Sequence, residues 1–274
     1  MKQQSALWAF IVVIGIGSTL LFLVGFGLGV ADVVSPGSVP FAEKPAAKVP
    51  DVNQVGELSE INIVSVGDSL TRGTGDETGS GYVRRTMAKL KEVQDKPVTL
   101  INNLAVNGLH TDELAERLTN ESTGYIIKQA NVILLTIGGN DLFQGAVNGL
   151  SGLDELDLDT LQAKADEGIA SLQRVLTQLR EWNSDALIVY VGLYNPFADL
   201  KEMYEIGNTV FRNWNNKAAA LLNQDSNMLL IPTHDLFEKN IGTYLSSDHF
   251  HPNGMGYDAI ATRIVQSIPH PQTQ

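Results

Sequence analysis

Residues Ile63–Ser69 read I-V-S-V-G-D-S, a short β-branched run that ends in a glycine–aspartate pair and a serine. Such a run predicts a buried strand, and Gly67 with Asp68 predicts the turn that follows it. The hydroxyl of Ser69 is then expected to face solvent just beyond the strand. Near the other end of the chain, Asp248 and His251 lie three positions apart in a segment with the character of a loop. A serine, a base and an orienting acid are the minimum set for acyl transfer.

Five apolar or β-branched runs predict strands, and stretches that can hold helices separate them. The predicted strands are Ile61–Val66, Val98–Leu104, Val132–Ile137, Ala186–Gly192 and Met228–Ile231, and the predicted helices are Tyr82–Val93, Thr111–Leu118, Leu161–Trp182, Lys201–Asn223 and Gly254–Ser267. Buried strands that alternate with helices indicate an α/β domain with a parallel sheet covered on both faces. We expect one such domain over residues 61–268, followed by a tail over residues 269–274.

Ligands of open parallel sheets bind beyond the carboxyl ends of the strands. Ser69 follows the first predicted strand, Gly108 the second and Asn140 the third, whereas Asp248 and His251 follow the last. Four separate segments are therefore expected to converge on one edge of the sheet.

Other residues near this edge have less specific interpretations. Asn195–Phe197 follow the fourth strand and either shape a substrate cleft or form a proline-bearing turn. Residues 144–160 carry glycine, leucine and acidic residues without strand character, so we interpret them as an insertion or mobile flap near the site. Trp182 and Trp214 lie in helical stretches and are expected to be packing residues.

The N-terminal segment Ala6–Val30 is uncharged and mostly apolar, and its 25 residues are enough to cross a hydrocarbon core of about 30 Å as a helix. The run is longer than the apolar part of a signal peptide, which favours residues 1–31 as a retained anchor with a cytoplasmic end. Residues 32–60 contain four prolines and predict an extended linker. The expected location is the cell membrane, with a single span and the catalytic domain outside the cytoplasm, or secretion if the segment is cleaved.

Composition excludes several classes of chemistry. The absence of cysteine removes disulfides, thiolate zinc sites and a cysteine nucleophile. A formal charge of −12 disfavours nucleic acid as a partner. Asp248, His249 and His251 could ligate a divalent metal, as could His234 with Asp235, but nothing in the spacing supplies a further ligand, so no metal is expected.

Four blocks resemble those of the GDSL or SGNH hydrolase superfamily, in order along the chain. They are G-D-S-L at Gly67–Leu70, the segment Asn103–Thr111 with its glycine, G-G-N-D at Gly138–Asp141 and D-H-F-H-P at Asp248–Pro252. The resemblance spans roughly Ile61–Ser267 and implies a three-layer α/β/α fold of flavodoxin-like type. Together with the apolar segment, the chain is similar to membrane-anchored lipases and acylhydrolases of Gram-positive bacteria.

Carried over to this sequence, the resemblance implies that Ser69 is the nucleophile, His251 its base and Asp248 the partner of that base. The backbone N–H groups of Ser69 and Gly108 and the side-chain amide of Asn140 would form the oxyanion hole. Each role has a physical reason: an imidazole activates a hydroxyl, a carboxylate fixes its tautomer, and a glycine leaves room for close approach.

Three neighbouring residues compete for roles or have simpler ones. His249 is an alternative base, but the D-x-x-H spacing followed by proline and asparagine favours His251. Asp68 and Asp141 are expected to be turn-formers and local hydrogen-bond acceptors rather than catalytic acids.

The leading functional hypothesis is an extracytoplasmic serine esterase or acylhydrolase that needs no cofactor and cleaves lipid or lysolipid acyl esters in the envelope. An alternative removes O-acetyl groups from cell-wall glycans. A binding module on the same fold would lack a triad or oxyanion residue, and none is missing here. A flavodoxin-like domain that binds FMN or receives a phosphoryl group needs a phosphate-cradling loop or an acid cluster after the first strand. Asp68 stands alone there, although the loop Thr71–Gly81 has several glycines.

Overall fold

The structure is a computed structural model that describes residues 12, 14–27, 30, 55, 58–143 and 157–268. The chain divides into two compact units, Met1–Ala46 and Ala47–Gln274. In the first unit the described residues are helical. Within the described ranges, we find no helix with the length and apolar character that a membrane crossing requires. The predicted anchor, linker and C-terminal tail lie partly or wholly outside these ranges.

The second unit contains a five-stranded parallel sheet in the order β2-β1-β3-β4-β5, which confirms the predicted architecture. The strands are β1 Ile61–Gly67, β2 Val98–Asn103, β3 Val132–Thr136, β4 Leu187–Val191 and β5 Met228–Ile231. The helices are α1 Ser69–Arg72, α2 Gly81–Val93, α3 Thr111–Arg117, α4 Glu121–Ile127, α5 Gly139–Phe143, α6 Leu158–Trp182, α7 Lys201–Leu222, α8 His234–Tyr244 and α9 Gly254–Ser267.

All five predicted helices are present, and four further helices, α1, α4, α5 and α8, were not predicted. Three of these have seven residues or fewer, too short for an apolar period to stand out, and α8 contains the non-helical residue Asn240. The predicted insertion ends too late, because α6 begins at Leu158 with Asp157 accepting from the N–H of Thr160. The rest of that insertion, residues 144–156, lies outside the described residues.

Two apolar clusters cover the two faces of the sheet, and successive strand residues alternate between them. In β1, Ile61 and Ile63 belong to one cluster and Val64 and Val66 to the other. The strands β3 and β4 divide in the same way, which explains why these strands have continuous apolar sequences. Val55 is buried in the first of these clusters, so the folded unit begins before Ile61 and the predicted linker extends too far.

The central strands β1 and β3 bring their carboxyl ends together. Gly67, the last residue of β1, is in register with Thr136, the last residue of β3. Gly67 has a φ of +133°, and a Cβ there would lie 1.9 Å from the carbonyl oxygen of Thr136, so only glycine fits. The segments that follow the two strands therefore start side by side.

Both tryptophans that were expected to pack do so. Trp214 is fully buried and its indole N–H donates to the hydroxyl of Tyr190 at 2.8 Å. Trp182 donates to the carbonyl of Leu118 at 2.6 Å and packs against the apolar cluster around α6. These contacts confirm the predicted packing role.

The packing of Trp214 predicts opposite effects for two helical glycines. A Cβ at Gly168 would lie 2.5 Å from Cζ3 of Trp214, whereas a Cβ at Gly242 would meet nothing within 4 Å. Alanine favours a helix over glycine by about 0.5–1 kcal/mol, so we expect Gly242→Ala to stabilise the protein by that amount. Gly168→Ala should destabilise it by about 1–3 kcal/mol through overpacking. Denaturant unfolding measures both changes in unfolding free energy. Changes of the same sign in the two variants would contradict the packing described here.

Candidate active site

The serine of the G-D-S-L motif starts a one-turn helix at the carboxyl end of β1. Asp68 is the N-cap of α1 and accepts from the N–H of Leu70 at 3.0 Å, and Gly73 ends the helix in the left-handed region with a φ of +91°. Ser69 itself is only 5% exposed. The expectation that its hydroxyl faces solvent is wrong, because a side chain from the far end of the sequence covers it.

That covering side chain is His251. Oγ of Ser69 lies 2.8 Å from Nε2 of His251, and Nδ1 of His251 lies 2.7 Å from Oδ2 of Asp248. An ionised Asp248 accepts the Nδ1 proton, which leaves Nε2 as an acceptor for the serine hydroxyl. The structure therefore brings the three predicted triad residues into one hydrogen-bonded chain.

Asp248 is held as a carboxylate by a set of donors. Its Oδ1 accepts from the hydroxyl of Ser246 at 2.7 Å and from the N–H groups of Phe250 and His251, both at 2.9 Å. Partial burial works to raise the pKa of Asp248, but the hydrogen bond from the His251 ring and these three donors outweigh it and hold the pKa at about 2. Sequence reasoning missed Ser246, whose hydroxyl bonds to the acid two residues later.

His249, the alternative base, is not part of the hydrogen-bonded triad. His249 is exposed and adopts a φ of +55°, in the left-handed region. Its backbone N–H donates to the carbonyl of Ser246 at 3.0 Å, which closes the turn that carries Asp248 and His251. The imidazole beside Ser69 is that of His251.

The three candidate oxyanion donors follow β1, β2 and β3. Among the described residues, the N–H groups of Ser69 and Gly108 donate no hydrogen bond to the protein. Asn140 is buried, and its Nδ2 donates one proton to the carbonyl of Leu109 at 2.9 Å, which leaves the other proton available. Gly108 has a φ of +75° with nothing within 4 Å of a hypothetical Cβ, so its backbone conformation, not crowding, requires glycine.

Asp141 does more than form a local turn. Its carboxylate accepts from the N–H of Thr111 at 3.1 Å and from the hydroxyl of Thr111 at 2.8 Å, 30 residues away. Burial raises the pKa of Asp141, and the two bonds from Thr111 oppose that shift. Together with the bond from Asn140 to Leu109, this contact ties the segment after β2 to the segment after β3.

Asp68 also has a long-range role that the sequence does not indicate. Its Oδ1 accepts from the hydroxyl of Thr136 at 2.6 Å, in addition to the cap bond. Thr136 Oγ1 lies 2.6 Å from Oγ1 of Thr71, which lies 2.7 Å from the hydroxyl of Tyr82. All these groups are buried. When Asp68 is ionised, Tyr82 can donate to Thr71, Thr71 to Thr136 and Thr136 to Asp68, so every hydroxyl in the series has an acceptor.

Other predicted candidates lie away from the triad. Asn195 accepts from the N–H of Phe197 at 3.0 Å, as expected for the proline-bearing turn. His234 and Asp235 do not share a site, because His234 lies 3.1 Å from Oδ1 of Asn208 and Asp235 pairs with Arg263.

A parallel sheet with a serine, an imidazole and a carboxylate in one hydrogen-bonded chain at its carboxyl edge is an arrangement suited to acyl transfer. Comparison with known proteins agrees with this class. Residues 65–259 match the model of the GDSL-like lipase/acylhydrolase family. The chain is 35% identical over 211 residues to the uncharacterized protein YpmR of Bacillus subtilis (strain 168), covering 76% of this chain and 81% of YpmR.

Two further relatives are described as lipases. The spore germination lipase LipC of Bacillus licheniformis is 27% identical over 206 residues, covering 74% of this chain and 94% of LipC. Among solved structures, the lipase Lip_vut3 from a goat rumen metagenome has a TM-score of 0.67 and 26% identity, covering 78% of this chain and 100% of that one. The chain belongs to the GDSL-like lipase/acylhydrolase family, and it is a carboxylic ester hydrolase.

The buried series of hydrogen bonds from Asp68 through Thr136 and Thr71 to Tyr82 predicts a pH-dependent loss of stability in Thr136→Val. The variant leaves Asp68 without one donor and should lose about 1–3 kcal/mol of unfolding free energy at neutral pH. Burial already raises the pKa of Asp68, a shift that the bond from Thr136 opposes, so the variant should raise the pKa further. A carboxyl group with a raised folded pKa binds its proton more tightly in the folded state, so its ionisation destabilises the fold as the pH rises above about 4.

The loss of unfolding free energy in Thr136→Val, relative to the wild type, should therefore be largest at neutral pH and should shrink as the pH falls toward about 4. Denaturant unfolding across this range measures it, with Thr136→Ser as the control that keeps the hydroxyl. A deficit that is constant with pH would contradict an ionised, hydrogen-bonded Asp68.

Proposed function

We propose that the chain hydrolyses carboxylic esters through an acyl-enzyme, with Ser69 as nucleophile, His251 as general base and acid, and Asp248 as the residue that orients and stabilises the imidazole. The observation that supports this proposal is the hydrogen-bonded chain from Oγ of Ser69 through both ring nitrogens of His251 to Oδ2 of Asp248. A serine hydroxyl becomes an effective nucleophile only when a base takes its proton as the new bond forms.

In the first half-reaction, Oγ of Ser69 attacks the ester carbonyl carbon while its proton passes to Nε2 of His251. The carbonyl π electrons move to oxygen, and the N–H groups of Ser69 and Gly108 with the free proton of Asn140 stabilise the oxyanion. The tetrahedral intermediate collapses as the carbon–oxygen bond to the alcohol breaks, and the imidazolium protonates the leaving alkoxide. Asp248, ionised at working pH, stabilises that imidazolium.

In the second half-reaction, water replaces the alcohol. The water oxygen attacks the acyl carbon while His251 takes a proton from the water. The same proton passes to Oγ of Ser69 when the acyl–serine bond breaks. The products are the free carboxylic acid and the regenerated enzyme. This sequence uses the triad, the oxyanion donors and one water molecule.

We favour lipid or lysolipid acyl esters as the substrates. The half-buried ring of Phe250 stands edge-on to the His251 ring, with ring centroids 5.2 Å apart, and packs on Phe197 at 6.4 Å. An aromatic wall beside the base suits an apolar acyl chain, because burying such a chain contributes about 0.8 kcal/mol per methylene group. LipC and Lip_vut3, two similar proteins, are described as lipases.

We place the catalytic unit outside the cytoplasm, next to its substrates. The support is the sequence of Ala6–Val30, an uncharged apolar run preceded by Lys2. An anchored enzyme would meet lipid esters of the envelope at high local concentration, and a cleaved segment would give a secreted enzyme with the same chemistry.

The test is hydrolysis of p-nitrophenyl esters, from acetate to long acyl chains, by the wild type and by Ser69→Ala. We expect wild-type turnover to rise with chain length and to be lost in Ser69→Ala by a factor of about 10³ or more, because the nucleophile is gone. The matched control is Ser171→Ala, which removes a buried serine hydroxyl that donates to the carbonyl of Glu167. It should retain wild-type activity.

The other outcomes separate the alternatives. A short-chain optimum would instead favour removal of O-acetyl groups from glycans. Turnover that persists in Ser69→Ala would refute the mechanism.

A further inference from the structure

The turn that carries Asp248 and His251 is short and strained. The backbone closes through the N–H of Ser246, which donates to the carbonyl of His251 at 2.8 Å, and through the bridge between Leu245 and Pro252. His249, at its tip, is a non-glycine residue in the left-handed region. Such residues cost on the order of 1 kcal/mol or more and persist only where the surroundings fix the backbone.

One of the fixing contacts comes from Tyr194, three residues beyond β4. Its hydroxyl donates to the carbonyl of Phe250 at 2.6 Å, and this carbonyl belongs to the peptide that leads directly into His251. Tyr194 is buried, and burial raises the pKa of its hydroxyl well above the usual value, so the donor keeps its proton at all working pH values.

The ring of Tyr194 is itself held firmly. It stacks on Phe237 with ring centroids 3.9 Å apart and an interplanar angle of 16°. The ring of Tyr244 packs edge-on against the same Phe237, with ring centroids 5.8 Å apart. Tyr244 in turn accepts the N–H of Asn253 through its carbonyl at 2.8 Å. The aromatic stack therefore links the end of β4 to both ends of the His251 turn.

A second contact comes from Gly75, in the loop after the serine helix. A Cβ at position 75 would lie 2.6 Å from the carbonyl oxygen of Pro252 and 2.9 Å from Cβ of His251. The loop is fixed by the hydroxyl of Tyr257, which donates to the carbonyl of Thr74 at 2.7 Å. The backbone at Gly75 thus packs directly against the residue that contacts Ser69.

We propose that Tyr194 and Gly75 are positioning residues that clamp the Asp248–His251 turn at two separate points and set the distance between Nε2 of His251 and Oγ of Ser69. Neither residue forms a hydrogen bond with Ser69 Oγ or with the His251 ring; Tyr194 acts through the Phe250 carbonyl, and Gly75 acts through its packing against His251 Cβ and the Pro252 carbonyl. This inference rests on the proposed function only for its kinetic consequence, since the position of the imidazole can be measured without turnover.

The clamp matters because proton transfer depends steeply on geometry. A displacement of about 1 Å at a reacting group can lower a rate by about 100-fold. Tyr194→Phe keeps the ring and its stack on Phe237 but leaves the carbonyl of Phe250 without its donor. Gly75→Ala keeps the turn bonds but pushes on His251 and Pro252.

The experiment compares these variants of the full chain with two controls. Trp182→Phe also removes a ring donor to a main-chain carbonyl, that of Leu118. Trp182 ends α6, just before β4 begins, so it lies at the edge of the sheet opposite the triad. Gly79→Ala also places a side chain at a positive φ, +64°, but its Cβ meets nothing within 4 Å. Each control makes the same kind of change at a position without a described contact to the turn.

Two readouts are needed: kcat and KM on a p-nitrophenyl ester, and the low-field proton resonance of the Nδ1–H of His251, identified by its absence in His251→Gln. For Tyr194→Phe and Gly75→Ala we expect kcat to fall by about 10- to 100-fold with KM within about threefold of wild type, because positioning acts on the chemical step. The resonance should shift or broaden in these two variants and stay unchanged in both controls.

Wild-type kcat and an unshifted resonance in Tyr194→Phe and Gly75→Ala would overturn the clamp. Equal losses in the two controls would overturn it as well, since the effect would then follow stability alone. If the wild type shows no turnover that depends on Ser69, the proposed function fails and the resonance alone decides the positioning claim: a shift in both variants supports it and no shift overturns it.

Discussion

A 2.8 Å hydrogen bond from Oγ of Ser69 to Nε2 of His251 joins residues 182 positions apart in the chain. No local feature of either segment can produce it, so the sheet must. The parallel sheet carries the segments after its strands to one edge, and β1 delivers the serine there through a tight turn at Gly67. The imidazole arrives on a separate turn that follows α8 and precedes α9. The architecture is therefore the means by which two distant side chains meet.

Buried polar contacts then fix the segments that the sheet has brought together. Asp141 bonds to Thr111 across 30 residues, and Asp68 bonds to Thr136 across 68. Each acid is adjacent to a residue of the G-D-S-L or G-G-N-D motif that we expect to act on substrate, so its bonds hold that neighbour in place. An unpaired buried carboxylate costs folding free energy, so losing these hydrogen bonds would destabilise the folded arrangement of the strand ends. The motif aspartates thus act in the fold as cross-links between strand ends.

Much of this arrangement could be predicted from the sequence, because strands, long helices and motif residues leave local patterns. The five strands and the residues that form the Ser69 chain follow from periodicity and from short motifs. The contributions of Thr136 and Tyr194 could not be predicted, since each acts on a partner more than 50 residues away with no motif around it. The burial of Ser69 was mispredicted for the same reason: a turn motif does not reveal what a distant segment places over it.

The activation of Ser69 is tested most directly by covalent labelling of the intact chain with a fluorophosphonate, followed by mass mapping of the adduct. This reagent forms a phosphorus–oxygen bond with an activated serine and loses fluoride, so it reports activation without depending on the natural substrate. A working triad of Ser69, His251 and Asp248 predicts one adduct, on Ser69, formed much more slowly in Asp248→Asn because the imidazole loses its tautomer and its counter-charge. Labelling elsewhere, or labelling of Ser69 at the same rate in both proteins, would contradict it.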